Sequence, residues 1–130
     1  MMKSLIFSLV LTFSLIGFAH DGHDNSSLKS QYGGMIKRSA NYYAEVVQEG
    51  EAFQIYVMDH KYKIYKDKNL LVSAEVISKS GKKKQTLNLK QDFLEFVPEI
   101  NKEKHFKLNL VLKNKDKVEG IEFNLETTNN

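Results

Sequence analysis

Short runs of alternating apolar and polar residues recur along the chain from residue 32 onward. In the clearest run every second residue is apolar: Phe106, Leu108, Leu110 and Leu112. A period of two residues places alternate side chains on opposite faces of a strand, so one face of such a run is buried. Segment 53–57 repeats the pattern, and no window shows a sustained helical period. The pattern therefore predicts an all-β fold.

Turn-forming residues separate these runs and predict hairpins. The three predicted hairpins join 42–47 to 53–57 through Gly50-Glu51, 71–77 to 85–89 through Ser80-Gly81-Lys82, and 106–112 to 118–125 through Asn114-Lys115-Asp116. Glycine and asparagine favour the backbone angles that tight turns require. Seven or eight strands are expected, and they favour an antiparallel immunoglobulin-like β-sandwich. An up-and-down barrel is the alternative, because periodicity does not fix strand order.

The first nineteen residues have the composition of a signal peptide. Lys3 gives a positive start, residues 5–18 are almost entirely apolar, and Gly17 and Ala19 are the small residues of a cleavage site. The apolar run is shorter than the roughly 20 residues that cross a bilayer. We therefore expect residues 1–19 to be removed, which leaves an exported, soluble periplasmic protein with no stable membrane insertion. A retained membrane anchor is the alternative.

The remaining chain suits a single domain. Residues 20–31 are mostly polar and predict a flexible leader that contains His and Asp, residues 32–126 form the predicted sandwich domain, and residues 127–130 form a disordered tail. The chain contains no cysteine, so no disulfide braces the domain and the apolar core must stabilise it. We expect a monomer.

The charged residues and the missing motifs exclude several classes of function. The formal net charge is only +3, and Arg38 is the single arginine among 19 basic residues, which disfavours nucleic acid as a partner. The sequence has no glycine-rich phosphate loop, no His-Glu-x-x-His motif and no nucleophilic cysteine. We therefore do not expect an enzyme.

One group of candidate metal ligands lies at the predicted mature N-terminus. His20 and His23 alternate there with Asp21 and Asp24, and cleavage after Ala19 would add the free α-amine of His20 to this group. Amine and imidazole nitrogens suit Cu(II), Ni(II) and Zn(II). The cluster predicts a copper or zinc site. The alternative is that these residues only keep the cleavage region polar.

A second candidate group, Met58, Asp59 and His60, closes the predicted strand that begins at residue 53. On an extended backbone residues 58 and 60 point to the same face, so a thioether and an imidazole would lie side by side, a pair that suits Cu(I). Met35, near the Gly33-Gly34 bend, is a candidate third ligand. The alternative is that Met58 fills the core and Asp59 accepts backbone hydrogen bonds in a turn.

Three segments of the chain carry short motifs: Tyr32-Gly33-Gly34-Met35-Ile36, Tyr42-Tyr43-Ala44-Glu45-Val46-Val47 and Phe53-Gln54-Ile55-Tyr56-Val57-Met58-Asp59-His60. Together they resemble small exported bacterial β-sandwich proteins that are associated with heavy-metal efflux systems. The resemblance covers about residues 31–125, and it implies a sandwich fold with a metal ion or an efflux or envelope protein as partner. Tyr32 and Tyr43 stand where those proteins have histidines, so His60, Asp59 and Glu45 are the implied ligands that remain.

Two functions follow from these observations. The first is a periplasmic carrier or accessory protein for copper or another heavy metal, which uses His20, His23 and His60 with help from Met35, Met58 and Asp59. The second is a metal-free interaction module that docks onto an envelope or efflux assembly through a sheet edge or its tyrosines.

Overall fold

The computed structural model describes residues 28–100 and 103–127, and all regular elements in these ranges are β-strands. The strands are β1 (Met35–Arg38), β2 (Tyr43–Glu49), β3 (Ala52–Met58), β4 (Leu70–Ser78), β5 (Gly81–Gln85), β6 (Asn88–Leu89), β7 (Leu94–Phe96), β8 (His105–Asn114) and β9 (Lys117–Glu126). These ranges contain no helix that is long and apolar enough to cross a membrane. The predicted signal peptide, leader residues 20–27 and tail residues 128–130 lie outside them.

The strands form two antiparallel sheets, which confirms the predicted all-β, sandwich-like fold. Sheet 1 has the order β1-β2-β3-β7-β6, and sheet 2 has the order β5-β4-β8-β9. The described part of the chain contains nine strands, whereas seven or eight were predicted. The excess includes β6, which has only two residues, both exposed. So short a strand shows no alternation in the sequence.

Two of the predicted hairpins are confirmed. β2 pairs with β3 up to Glu49 and Ala52, and Gly50 in the turn has a φ of 64°. β8 pairs with β9 up to Asn114 and Lys117, as the sequence 114–116 predicts. In both hairpins the apolar alternation on either side of the turn fixes which residues face the core.

The third predicted hairpin turns at a different place. The structure pairs Ser78 with Gly81 and uses Gly81–Gln85 as the returning strand, so the turn precedes the predicted one. Asn88–Leu89 belongs instead to sheet 1 as β6. The lysines at positions 82, 83 and 84 give β5 no apolar alternation, which explains why the sequence pattern misses it. Charged side chains on an edge strand also oppose pairing with another sheet edge.

The core lies between the two sheets and consists of apolar side chains from both. Its buried members are Tyr42, Ala44, Val46, Phe53, Ile55, Val57, Ala74, Val76, Phe96, Phe106, Leu108, Leu110, Leu112, Ile121, Phe123 and Leu125. The ring of Phe53 in sheet 1 lies 5.7 Å from Phe96 and, edge to face, 5.4 Å from Phe106 of sheet 2. Burial of apolar surface between the sheets is therefore the main source of stability in a chain without cysteine.

A pair of matched leucine substitutions tests this assignment of the core. Leu108 is fully buried in β8, whereas Leu71 in β4 is 64% exposed. Leu108→Ala should lower the free energy of unfolding by about 2–5 kcal/mol, because it leaves a cavity between the sheets. Leu71→Ala should change it by about 0.5 kcal/mol or less. Equilibrium urea unfolding measures both, and equal effects would contradict the assigned orientation of the strands.

Candidate functional site

The outer face of sheet 1, which points away from the core, carries polar and aromatic side chains. In the register of β2 and β3, Tyr43 pairs with Met58 and Glu45 with Tyr56, so these four side chains share that face. Residues 28–34, here called the N-terminal strap, lie across the face before β1 begins. Residues 59–63, here called the His60 turn, follow β3 at the end where Tyr43 lies.

The carboxylate of Glu45 is the centre of this face. Its side chain is fully buried, although it occupies a polar position in the alternation of β2. It accepts hydrogen bonds from the Ser30 hydroxyl at 2.6 Å and from the backbone N–H groups of Gln31, Tyr32 and Gly34 at 2.7, 2.9 and 2.7 Å. One carboxylate thus anchors four residues of the N-terminal strap.

The ionisation of Glu45 follows from these contacts. Burial raises the pKa of Glu45, but the hydrogen bonds from Ser30 and from the strap amides outweigh burial and hold the pKa below its usual range. No ion pair to Glu45 occurs among the described residues. The negative charge is therefore balanced by oriented N–H and O–H dipoles rather than by a cation.

Two adjacent glycines allow the N-terminal strap to approach β2. Gly33 has a φ of 80°, which is a left-handed conformation that favours glycine. At Gly34 a Cβ atom would collide with the carbonyl oxygen of Val46 and would lie 2.7 Å from Cγ2 of Val47. The Gly33-Gly34 bend of the sequence is thus a steric requirement for the contact with Glu45.

Tyr32 gives the strap a second attachment. Its ring stacks on Tyr56 with the centroids 3.8 Å apart and an angle of 7° between the planes. Tyr56 also contacts the Phe93 ring at 5.3 Å. The stacked rings cover each other's faces and so remove apolar surface from water. Tyr32 therefore has a packing role here.

The predicted ligands Met58 and Asp59 lie at the end of β3. The strand ends at Met58, whose side chain is fully buried. An oxygen of the Asp59 carboxylate accepts hydrogen bonds from the N–H groups of Lys61 at 2.8 Å and Lys63 at 3.0 Å. The same two hydrogen bonds, Lys63 first, hold the pKa of Asp59 below its usual range. Asp59 thus stabilises the His60 turn, as the alternative interpretation of the sequence states.

His60 is exposed, and the turn that carries it meets the start of the strap. Its ring is 5.0 Å from the ring of Tyr43, which is 5.1 Å from the ring of Tyr62. The hydroxyl oxygen of Tyr62 accepts a hydrogen bond from the N–H of Lys29 at 3.2 Å. The chain therefore reaches sheet 1 next to the turn that carries His60, a proximity that the sequence does not reveal.

Met35 lies apart from Met58 and His60. It pairs in β1 with Val46, whose side chain belongs to the core, whereas Met58 pairs with Tyr43 on the outer face. The two methionines therefore lie on opposite faces of sheet 1. In residues 28–100 and 103–127, no group of three or more His, Asp or Glu side chains is placed to hold a metal ion. His20 and His23 lie outside these ranges and stay a prediction.

Replacement of Glu45 by glutamine tests the anchor. Glutamine has nearly the same shape, but it is neutral and turns an NH₂ group towards the donors of the strap. We expect the free energy of unfolding to fall by about 3 kcal/mol, because buried donors lose a charged acceptor. Hydrogen exchange at the Gln31, Tyr32 and Gly34 amides should become faster. Glu51→Gln, in the exposed β2–β3 turn, is the matched control, and an equal effect there would contradict the anchor.

The pH dependence of stability gives an independent test. Since the folded-state pKa of Glu45 lies below the ordinary value of 4.5, its carboxylate stabilises the fold fully above about pH 4.5 and less as the pH falls through the lowered pKa. The difference in free energy of unfolding between the wild type and Glu45→Gln should therefore be constant near neutral pH and shrink in acid. Urea unfolding at several pH values measures it, and a difference that persists unchanged at about pH 2.5 would refute the assignment.

Comparisons of the chain with known proteins identify no relative. No protein family matches it, and no curated protein and no solved structure matches it either. The resemblance to exported proteins of heavy-metal efflux systems therefore stays a prediction from short motifs.

Proposed function

We propose that the chain is an exported periplasmic metal-binding protein, a non-catalytic carrier or accessory protein for copper or another heavy-metal ion. His20 and His23 of the leader supply imidazoles, and His60 completes the site from the folded domain. The observation that supports this proposal most directly is the hydrogen bond between the Lys29 N–H and the Tyr62 hydroxyl at 3.2 Å. It places the start of the strap beside the His60 turn.

The length of the chain permits the leader to reach His60. Six residues lead from His23 to Lys29, and an extended chain of that length spans up to about 20 Å. From Lys29 the path to His60 consists of one hydrogen bond and two ring contacts of about 5 Å, through Tyr62 and Tyr43. This path is shorter than the span of the leader, so no rearrangement of the domain is needed.

The ligand chemistry suits the proposed cargo. Three imidazoles and the α-amine of His20 form a nitrogen set of the kind that Cu(II) and Zn(II) prefer, and Asp21 or Asp24 can add a carboxylate oxygen. Because His60 is exposed, a metal ion can reach it from solvent. Met58 and Asp59 are left out of the proposed ligand set, because the first is buried and the second binds backbone amides of the turn.

We also propose that the fold is immunoglobulin-like. The orders β2-β3-β7-β6 and β5-β4-β8-β9 correspond to the A-B-E-D and C′-C-F-G sheets of such domains, with β1 as an additional edge strand. In this arrangement the N-terminal strap and the His60 turn share the outer face of the first of these sheets. The strap thus supports the proposed metal site from a rigid sheet.

Metal titration of the mature chain, residues 20–130, tests the proposed function. Wild type should bind Cu(II) and Zn(II) with a dissociation constant of about 1 µM or lower. We expect His20→Ala/His23→Ala to weaken binding by about 100-fold or more, because it removes two of the ligands. His60→Ala should weaken it about tenfold, which corresponds to about 1.4 kcal/mol. Calorimetry in competition with a chelator measures these affinities.

His105 provides the matched control. It lies at the start of β8 in sheet 2, and its side chain is 77% exposed, so His105→Ala should leave the affinity unchanged. On addition of Zn(II), NMR signals of the His60 and Tyr43 rings should shift, whereas those of His105 should not. If His60→Ala binds as tightly as wild type, His60 is not a ligand. If wild type binds only at millimolar concentration, the metal proposal is wrong and the metal-free docking module is favoured.

A further inference from the structure

A groove opens between the two sheets where regular strand pairing ends on one side of β3 and of β4. In sheet 1, β7 pairs with β3 only at Phe53–Ile55, and in sheet 2, β5 pairs with β4 only from Ala74 onward. Beyond β7 the end of β3 pairs on that side with residues 64–65, through the bridge of Met58 with Ile64 and a hydrogen bond from the Tyr65 N–H to the Val57 carbonyl oxygen at 2.9 Å. The gap between the end of β3 and the start of β4 has a volume of about 500 Å³, which lies within the range of about 300–1,000 Å³ typical of small-molecule sites.

Apolar side chains line the interior of this groove. Ile55 and Val57 of β3 belong to the buried core, and Leu70, Val72 and Leu94 are partly buried against it. The groove therefore has an apolar floor that is continuous with the core. A ligand that fills it with an apolar group gains the free energy of removing both surfaces from water.

Charged side chains surround the opening of the groove, and they are here called the rim. They are Lys66, Asp67, Lys68, Lys90 and Asp92, so positive charge is in excess there. Lys66 pairs with Asp92 at 3.5 Å. The Asp67 carboxylate already accepts hydrogen bonds from the Asn69 N–H at 2.9 Å and the Tyr65 hydroxyl at 3.3 Å.

Lys68 and Lys90 complete the rim. Neither makes an ion pair within the part of the chain that the structure describes. The opening of the groove therefore carries three lysines and two aspartates, an excess of one positive charge. An anionic headgroup at this position would match the charge of the rim, while an apolar tail would match the interior.

We propose that the groove binds a single-chain carboxylate amphiphile, a fatty acid. The acyl chain lies between β3 and β4 against the partly exposed Leu70, Val72 and Leu94, and the carboxylate lies at the rim near Lys68 and Lys90. The site uses none of the histidines of the proposed metal site, so it is independent of that proposal. A metal-free protein retains it.

A chain-length series tests the apolar part of the site. Octanoate, decanoate and dodecanoate, each below its micelle concentration, should bind with an affinity that rises about fourfold per added methylene until the groove is full. Calorimetry measures the affinities, and NMR should show shifts of the Leu70, Val72 and Leu94 methyl groups. An affinity that does not depend on chain length, or no saturable binding of any of the three, would overturn the proposal.

Charge variants test the rim. Lys68→Gln/Lys90→Gln should weaken dodecanoate binding about tenfold and leave the binding of dodecanol unchanged. Lys83→Gln/Lys84→Gln, on β5 and outside the groove, removes the same net charge and should have little effect. Equal weakening by the two double variants would overturn the role of the rim.

A matched pair of apolar-to-acidic substitutions distinguishes a fatty acid from a second copy of the chain. Leu89 lines the groove next to Lys90 and is 81% exposed, whereas Val118 on β9 lies outside the groove and is 62% exposed. Leu89→Glu should weaken dodecanoate binding, and Val118→Glu should not. Sedimentation that shows a dimer, dissociated by Leu89→Glu and unaffected by dodecanoate, would assign the groove to self-association and refute the proposal.

Discussion

The buried carboxylate of Glu45 determines how the N-terminal strap lies on sheet 1. A buried charge without partners is too costly to persist, and among the described residues the donors to this charge all come from the strap, at Ser30, Gln31, Tyr32 and Gly34. The strap in turn needs the charge, because three of those donors are backbone amides with no strand partner. This mutual requirement fixes where the chain reaches the sheet at Lys29, and hence its position beside the His60 turn.

Strand β2 therefore has two roles, one on each face. Ala44 and Val46 point into the core, and burial of their face stabilises the sandwich. Tyr43 and Glu45 point outward, where the first contacts the rings of His60 and Tyr62 and the second holds the strap. The apolar face makes the sheet rigid, and the outer face uses that rigidity to position two segments that are distant in sequence.

The sequence predicts what local periodicity determines and misses what distant contacts determine. The strand at 106–112 and the turn at Gly50 were predicted correctly, because a two-residue apolar period and a turn glycine act within a few residues. Glu45 occupies a polar position that the pattern places in solvent, and its burial depends on residues 11–15 positions earlier. Strand β5 was missed because an edge strand stabilised by pairing with β4 needs no apolar face of its own.

The two proposed sites depend on different features of the same sandwich. The proposed metal site depends on the strap, which the Glu45 carboxylate holds on sheet 1 through hydrogen bonds from the strap, so that Lys29 lies beside the His60 turn. The groove depends instead on where β5 and β7 stop pairing, a property of strand length that does not involve the strap.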